Sequence, residues 1–116
     1  TSNYILSKMY LENQTYESAL ESAQELGFAE PDPTFDIDGT DAYQKTSILS
    51  FLSFNGEIQM DKIYREGINM IEPLDMEYGK ELGYVIKPLS LGINYGEKLF
   101  IGSFPAGNEP INNFSP

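Results

Sequence analysis

Cysteine and histidine are both absent from the 116 residues of the sequence. The absence of cysteine excludes disulfides and thiol chemistry, and it is compatible with a reducing cytoplasm, where we expect the protein to be located. The absence of histidine removes the commonest general base and the commonest metal ligand. Any proton transfer by this chain must therefore use a carboxylate, a lysine or a tyrosine.

Basic residues are scarce as well: 7 Lys and Arg stand against 18 Asp and Glu, so the formal net charge is −11. A surface with this charge repels phosphate groups, so nucleic acids and anionic membranes are not expected partners. The apolar runs are only a few residues long, far short of a membrane span. The remaining composition, with 41% hydrophobic and 13% aromatic residues, is typical of one globular domain with its own core.

Helical periodicity predicts three helices in the first half of the sequence. The first covers Asn3–Leu11. Thr15 is a suitable N-cap for the second helix, which Gly27 ends in the usual left-handed conformation. The third helix runs from Gly39 to Phe54, and its predicted buried face consists of Ala42, Ile48, Leu49 and Leu52.

The next segment mixes helical and strand signals. After a turn at Asn55-Gly56, the pattern suits a short helix at Asp61–Tyr64 and then a strand at Gly67–Ile71. Pro73 is placed to open a further helix, and Gly83 is placed to end it.

The last third of the sequence predicts two antiparallel strands, Tyr84–Asn94 and Lys98–Phe104. Pro88 should place the first of them at a sheet edge or at a bulge, because proline has no amide donor. Residues 105–116 are rich in Pro, Asn and Gly and are predicted to form a loosely ordered tail. The predicted fold class is therefore α+β, with helices packed on a small antiparallel or mixed sheet within residues 1–104.

Acidic residues are concentrated in Gly27–Lys45, called the acid stretch below. Its five acids are Glu30, Asp32, Asp36, Asp38 and Asp41. Pro31 and Pro33 prevent a helix in its first half, so we expect a rigid, acid-lined loop that leads into the third helix. Asp41 and Lys45 are four residues apart and therefore lie on one face of that helix.

These residues also have simpler explanations. An acid four residues before a base is the usual spacing of a surface ion pair, which contributes a few tenths of a kcal/mol. Asp36 or Asp38 could cap the third helix, and Asp32 could initiate a turn.

A calcium loop is the sharper alternative for this stretch, and it is rejected. With Gly39 as the obligatory sixth position, Lys45 would occupy position twelve, where a bidentate glutamate is required. No metal site is predicted. Five neighbouring acids are instead expected to surround a positive group, either a substrate ammonium or Lys45. Neighbouring carboxylates would strengthen the hold of Lys45 on its proton, whereas desolvation in a closed cleft would lower its pKa and prepare it for proton transfer.

The acid stretch resembles the signature of homoserine dehydrogenases. The matching positions are Ala23, Gly27, Phe28, Ala29, Asp32, Pro33, Asp36, Ile37, Gly39, Asp41 and Lys45. The preceding Thr1–Leu6 resembles the segment that in this family joins the dinucleotide-binding domain to the substrate domain. The resemblance covers roughly residues 1–87.

The resemblance implies an oxidoreductase of the aspartate pathway, which serves threonine, methionine and isoleucine biosynthesis. Such an enzyme interconverts aspartate semialdehyde and homoserine with NADPH or NADH. Lys45 would pass the proton to or from the oxygen as hydride moves, and Asp41 would orient Lys45 and a water. The implied residues are Lys45 and Asp41 for catalysis, Glu30, Asp36, Phe28 and Ala29 for the substrate, and Thr1, Ser2 and Asn3 for the cofactor.

The sequence has no glycine-rich strand–turn–helix unit for a dinucleotide. The chain is therefore expected to be part of the substrate domain of a longer enzyme, inactive alone, which needs a separate dinucleotide-binding domain. The resemblance also implies a homodimer formed through the sheet. The competing hypothesis is a non-catalytic dimerisation or amino-acid-binding module that kept the motif.

Overall fold

A computed structural model of the protein describes residues 1–54, 59–96 and 98–109. Those residues contain five helices and three strands. The helices are α1 (Ser2–Glu12), α2 (Tyr16–Glu25), α3 (Thr34–Ile37), α4 (Thr40–Ser53) and α5 (Pro73–Leu82), and the strands are β1 (Gln59–Arg65), β2 (Val85–Asn94) and β3 (Lys98–Asn108). None of these helices has the length and apolar character that a membrane span requires.

The strands form one mixed sheet in the order β1-β3-β2. The central strand, β3, runs parallel to β1 and antiparallel to β2. Pro88 lies on β2, an edge strand, as predicted, because an edge position tolerates a missing amide donor. The α+β fold class with a small mixed sheet is confirmed.

Local signals set both ends of α2 and of α5 as predicted. Thr15 caps α2, where its hydroxyl oxygen accepts a hydrogen bond from the Ser18 amide at 3.2 Å. Pro73 is in the first turn of α5, and Gly83 ends that helix with a φ of 80°. Gly27 has a φ of 76° just beyond α2. These positive φ values favour glycine because it has no Cβ.

The hydrophobic core lies between α1, α2 and α5 and includes two side chains of the acid stretch. Its buried members are Ile5, Leu6, Met9, Ala19, Ala23, Ala29, Ile37, Ile68 and Met76. Ala29 and Ile37 are thus fixed in the same core as α1, so burial holds the acid stretch against the N-terminal helix.

The predicted buried face of α4 is wrong. Ile48, Leu49 and Leu52 are between 61% and 68% exposed, whereas Ser50 is only 6% exposed. Ser50 faces β2 at Gly92, where an added Cβ would lie 2.0 Å from the Ser50 hydroxyl oxygen. A small residue on each side allows α4 to approach the sheet closely, and the larger apolar side chains therefore point outward. Only Ala42, of the four predicted residues, is half-buried.

The predicted helix at Asp61–Tyr64 and strand at Gly67–Ile71 are also wrong. Residues 59–65 form β1, because the parallel pairing with β3 overrides their weak helical pattern. Residues 67–71 contain no strand and instead pack on the acid stretch. The Ile68 amide donates a hydrogen bond to the Ile37 carbonyl oxygen at 3.0 Å.

The strand β3 continues to Asn108, four residues beyond the predicted end at Phe104. The extension pairs with the first residues of β2, from Val85↔Asn108 to Pro88↔Pro105. The predicted turn at Asn55-Gly56 and residues 110–116 of the predicted tail lie outside the described residues.

Candidate active site

The first half of the acid stretch is held by hydrogen bonds from α1. The Thr1 hydroxyl donates to the Phe28 carbonyl oxygen at 2.6 Å, and the Ser2 hydroxyl donates to the Asp36 carbonyl oxygen at 2.9 Å. The residues predicted for the cofactor and those predicted for the substrate are therefore in direct contact.

One turn of helix, α3, interrupts the predicted loop. Asp32 accepts hydrogen bonds from the Thr34 hydroxyl at 2.5 Å and from the Thr34 amide at 3.3 Å. These bonds lower the pKa of the Asp32 carboxyl. The turn predicted at Asp32 therefore continues into α3 (Thr34–Ile37), which places Asp36 beside α1.

A second turn, at residues 38–40, starts α4. Gly39 has a φ of 82°, and the Asp38 carboxylate accepts a hydrogen bond from the Thr40 amide at 2.8 Å. Hydrogen bonds from Thr40 and the nearby Arg65 lower the pKa of the Asp38 carboxyl. Asp36 and Asp38 were the two candidates to cap this helix, and Asp38 is the one whose carboxylate accepts a hydrogen bond from an amide of its first turn.

The first turns of α4 carry Asp41 and Lys45 on one face, as predicted. The Lys45 ammonium donates to an Asp41 carboxylate oxygen at 2.7 Å. The Asp41 carboxylate raises the pKa of Lys45, and the more distant Asp36 adds to this effect. The Lys45 side chain is 71% exposed, so the described chain does not provide the desolvation that would lower its pKa.

Two clefts meet at the acid stretch. The junction cleft, of about 370 Å³, contains Thr1, Ser2, Asn3 and Lys45 in its wall. The loop cleft, of about 670 Å³, contains Phe28 and Glu30. The two clefts share Asp36 and Asp41 in their walls.

Eight of the nine predicted site residues therefore line two adjoining clefts. The ninth, Ala29, is 5% exposed and belongs to the core. It supports the acid stretch from behind and does not line either cleft.

The sheet contributes site residues that the sequence analysis missed. Ser90 on β2 and Ser103 on β3 are opposite each other, with their hydroxyl oxygens 3.2 Å apart, and both line the junction cleft. Glu66, just after β1, lines it too. No local pattern marks these residues, because only the pairing of distant strands brings them to the acid stretch.

The walls of the two clefts are strongly acidic. Among the described side chains that line the two clefts, Glu30, Asp32, Asp36, Asp41 and Glu66 carry carboxylates, and Lys45 carries an ammonium group. Such a field favours a ligand with an ammonium group and opposes phosphate. Among the described residues, no group of three or more Asp and Glu side chains is placed to hold a metal ion.

The comparison with known proteins gives a consistent result. The family model described as homoserine dehydrogenase matches residues 1–101, which extends the resemblance beyond residue 87. The homoserine dehydrogenase of Helicobacter pylori is 48% identical over 91 residues, which are 78% of this chain and 22% of that protein.

Solved structures agree with this match. The crystal structure of Staphylococcus aureus homoserine dehydrogenase at pH 6.0 has a TM-score of 0.83 and 40% identity, over 93% of this chain and 27% of that one. A hyperthermophilic archaeal homoserine dehydrogenase in complex with NADPH has a TM-score of 0.64 and 28% identity, over 97% of this chain and 30% of that one. The chain thus spans about a quarter of the length of these relatives. Because the family match covers most of the sequence, including the whole acid stretch, the chain belongs to the homoserine dehydrogenase family.

Proposed function

We propose that this chain supplies the substrate-binding and catalytic part of an NAD(P)-dependent homoserine dehydrogenase, and that it is inactive alone. The observation that carries this proposal is the position of the Asp41–Lys45 pair, which lies with Asp36 where the two clefts meet. The reaction is the interconversion of aspartate semialdehyde and homoserine. The proposed setting is the cytoplasmic route to threonine, methionine and isoleucine.

The proposed binding of the substrate rests on the attraction between its ammonium group and the carboxylates of the site. Homoserine and aspartate semialdehyde each carry an ammonium group, which the carboxylates of Glu30 and Asp36 would bind. Phe28 lies in the same wall, and its ring packs edge-on against Tyr4 with centroids 5.1 Å apart. This contact fixes an apolar surface beside the carboxylates, suited to the methylene groups of the substrate.

The proton transfer is assigned to Lys45. A bound nicotinamide cofactor would supply the hydride to the carbonyl carbon in reduction, or accept it from the alcohol carbon in oxidation. In the direction of reduction, Lys45 donates a proton to the carbonyl oxygen, and in oxidation it takes the hydroxyl proton. Asp41 orients the ammonium through the 2.7 Å hydrogen bond and would also hold a water.

The cofactor is NADPH or NADH, held mainly by a dinucleotide-binding domain outside this chain. Only the nicotinamide end suits the residues present here, because the net charge of −11 opposes phosphate. Thr1, Ser2 and Asn3 line the junction cleft and would contact this end. The archaeal relative, whose complex contains NADPH, supports a nicotinamide cofactor.

A homodimer through the sheet is part of this proposal. Strand alternation places Leu91, Ile93 and Tyr64 on the face opposite Ser50, and these side chains are 37% to 49% exposed. Light scattering during size exclusion should give a dimer mass, and Leu91→Glu should reduce it to that of a monomer. The matched variant Leu49→Glu, on the outward face of α4, should leave the dimer intact. A monomer at high concentration would refute the dimer.

The site proposal is tested by calorimetry with homoserine. Asp36→Ala should weaken binding by about tenfold or more, because it removes a charged partner. Glu21→Ala on α2 removes the same charge away from both clefts and should leave the affinity unchanged. Equal affinities of the parent and Asp36→Ala, or no binding by the parent, would refute the assignment of the substrate site.

The exposure of Lys45 favours one competing function, that of a non-catalytic dimerisation or amino-acid-binding module. An immunoblot of source cells separates the two hypotheses. A product much heavier than 13.0 kDa would agree with a complete enzyme. In that enzyme, Lys45→Met should abolish turnover and, with it, the dependence of the rate on pH that the parent shows. A product near 13.0 kDa that binds homoserine, but shows no turnover with a dinucleotide-binding partner, would favour the module.

A further inference from the structure

Arg65 is the sole arginine in the sequence, and it lies at the end of β1 beside the start of α4. Its guanidinium donates a hydrogen bond to the Thr40 hydroxyl oxygen and lies 3.9 Å from an Asp38 carboxylate oxygen. The other oxygen of the same carboxylate accepts the Thr40 amide. Asp38, Thr40 and Arg65 therefore form one cluster around Gly39, named here the α4-start cluster.

The α4-start cluster packs directly on the sheet. A Cβ added to Gly39 would lie 3.4 Å from the Arg65 side chain, the Glu66 carbonyl oxygen and the Ser103 hydroxyl. The Glu66 amide donates to the Ser103 carbonyl oxygen at 2.8 Å, which joins this part of β1 to β3. The turn before α4 is thus held between its own helix and two strands.

The catalytic pair follows this turn without a break. Asp41 is the residue after Thr40, and Lys45 comes one helical turn later. Because a helix is stiff, the position of its first turn determines where both side chains lie relative to Asp36. Arg65 contacts that first turn from the end of β1.

We propose that Arg65 is a positioning residue, which fixes the start of α4 and so holds Asp41 and Lys45 in place beside Asp36. This inference deepens the proposed function and rests on it. The planar guanidinium reaches Thr40 and Asp38 at the same time. A lysine at this position would present a compact point charge and would not reproduce both contacts.

The first test is amide hydrogen exchange on the 116-residue chain. The probe is the Tyr43 amide, which donates to the Gly39 carbonyl oxygen at 2.9 Å in the first turn of α4. Arg65→Met, Arg65→Lys and Thr40→Val should each increase its exchange about tenfold, while the amides of α1 and α2 are unchanged. Lys87→Met is the matched control, because Lys87 lies on the opposite face of the sheet from Arg65. Unchanged Tyr43 exchange in the Arg65 and Thr40 variants would overturn the inference.

The second test is the affinity for homoserine of the same variants. Each should bind several-fold more weakly than the parent, with no rescue by Arg65→Lys, whereas Lys87→Met should bind normally. Faster exchange at Tyr43 with unchanged affinity would overturn the positioning role. If the parent does not bind homoserine, the substrate assignment fails, and the exchange result alone decides whether Arg65 fixes α4. Circular dichroism identifies any variant that fails to fold, and the remaining variants of Arg65 and Thr40 then decide the test.

Discussion

The contact between Gly92 and Ser50 makes the orientation of α4 testable by a single methyl group. In Gly92→Ala, the new Cβ would lie 2.0 Å from the Ser50 hydroxyl oxygen and 3.2 Å from the Ser50 Cβ. The first distance is far inside van der Waals contact, so the hydroxyl must rotate or the helix must move. Overpacking of this kind costs about 1–3 kcal/mol.

An opposing effect reduces this cost. Replacing glycine by alanine restricts the unfolded chain and stabilises a protein by about 0.4–1 kcal/mol where the backbone conformation permits it. Gly92 lies within β2 and has no positive φ, so this gain applies. We expect a net loss of about 1–2 kcal/mol in the parent, because the clash is the larger of the two effects.

The matched background is Ser50→Ala, which removes the hydroxyl oxygen and keeps the Cβ. The remaining distance of 3.2 Å requires a shift of only a few tenths of an ångström. Gly92→Ala should then be close to neutral, which gives a coupling energy of about 1–2 kcal/mol in the double-mutant cycle. Urea unfolding of the four proteins provides the free energies.

Leu49→Ala is the control on the outward face of α4. If the apolar face were buried, this change would cost about 2–5 kcal/mol. With Leu49 exposed, we expect less than about 0.5 kcal/mol. Equal effects of Gly92→Ala in both backgrounds, together with a large cost for Leu49→Ala, would show that α4 presents its apolar face to the sheet and would refute the reasoning.

Three further predictions concern the core and the acid stretch. Ile101→Ala removes a fully buried side chain of β3 and should lower the free energy of unfolding by about 2–5 kcal/mol, whereas the exposed Ile48→Ala should cost less than about 1 kcal/mol in the same urea titration. The native pKa of Asp38 is lowered. The contribution of Asp38 to stability is therefore complete above its unfolded pKa of about 3.9 and is lost as the pH falls through the native pKa. When the free energy of unfolding is measured at decreasing pH, Asp38→Asn should lose less stability than the parent. Ser2→Ala removes the hydrogen bond to the Asp36 carbonyl oxygen and should cost about 1 kcal/mol by thermal unfolding, with no comparable loss for Ser53→Ala at the exposed end of α4.

A sequence signal predicts structure correctly here where it acts over a short distance along the chain. Thr15, Gly27, Pro73 and Gly83 act within a few residues, through a hydroxyl, a missing Cβ or a fixed φ, and the helix ends that they predict are confirmed. The prediction of a helix at Asp61–Tyr64, which lies within β1, is wrong because the partner strand β3 is distant in sequence. A pattern within one segment contains no information about such a partner.

In the candidate site too, contacts within one segment were predicted, and contacts between distant segments were not. The order of residues in the acid stretch predicted which side chains meet, since a loop tied to one helix keeps its members close. It did not predict Ser90, Ser103 or Glu66, which reach the junction cleft only because β3 pairs with both other strands. The roles of the site residues in binding and catalysis stay predictions until the calorimetry and the pH–rate measurements are made.

The apolar residues of α4 that were wrongly predicted to be buried lie beside Lys45 on the exposed side of the helix. Lys45, Ile48, Leu49 and Leu52 have the spacing i, i+3, i+4, i+7, so they form one stripe along the outward side of the helix. A lysine paired with Asp41 and open to water has a raised pKa, whereas proton transfer near neutral pH needs a lower one. Desolvation would lower this pKa, but only a polypeptide that covered Lys45 and Asp41 as well as the apolar part of the stripe would supply it. The apolar residues that wrongly predicted a contact with the sheet thus lie on the same exposed side of α4 as Lys45.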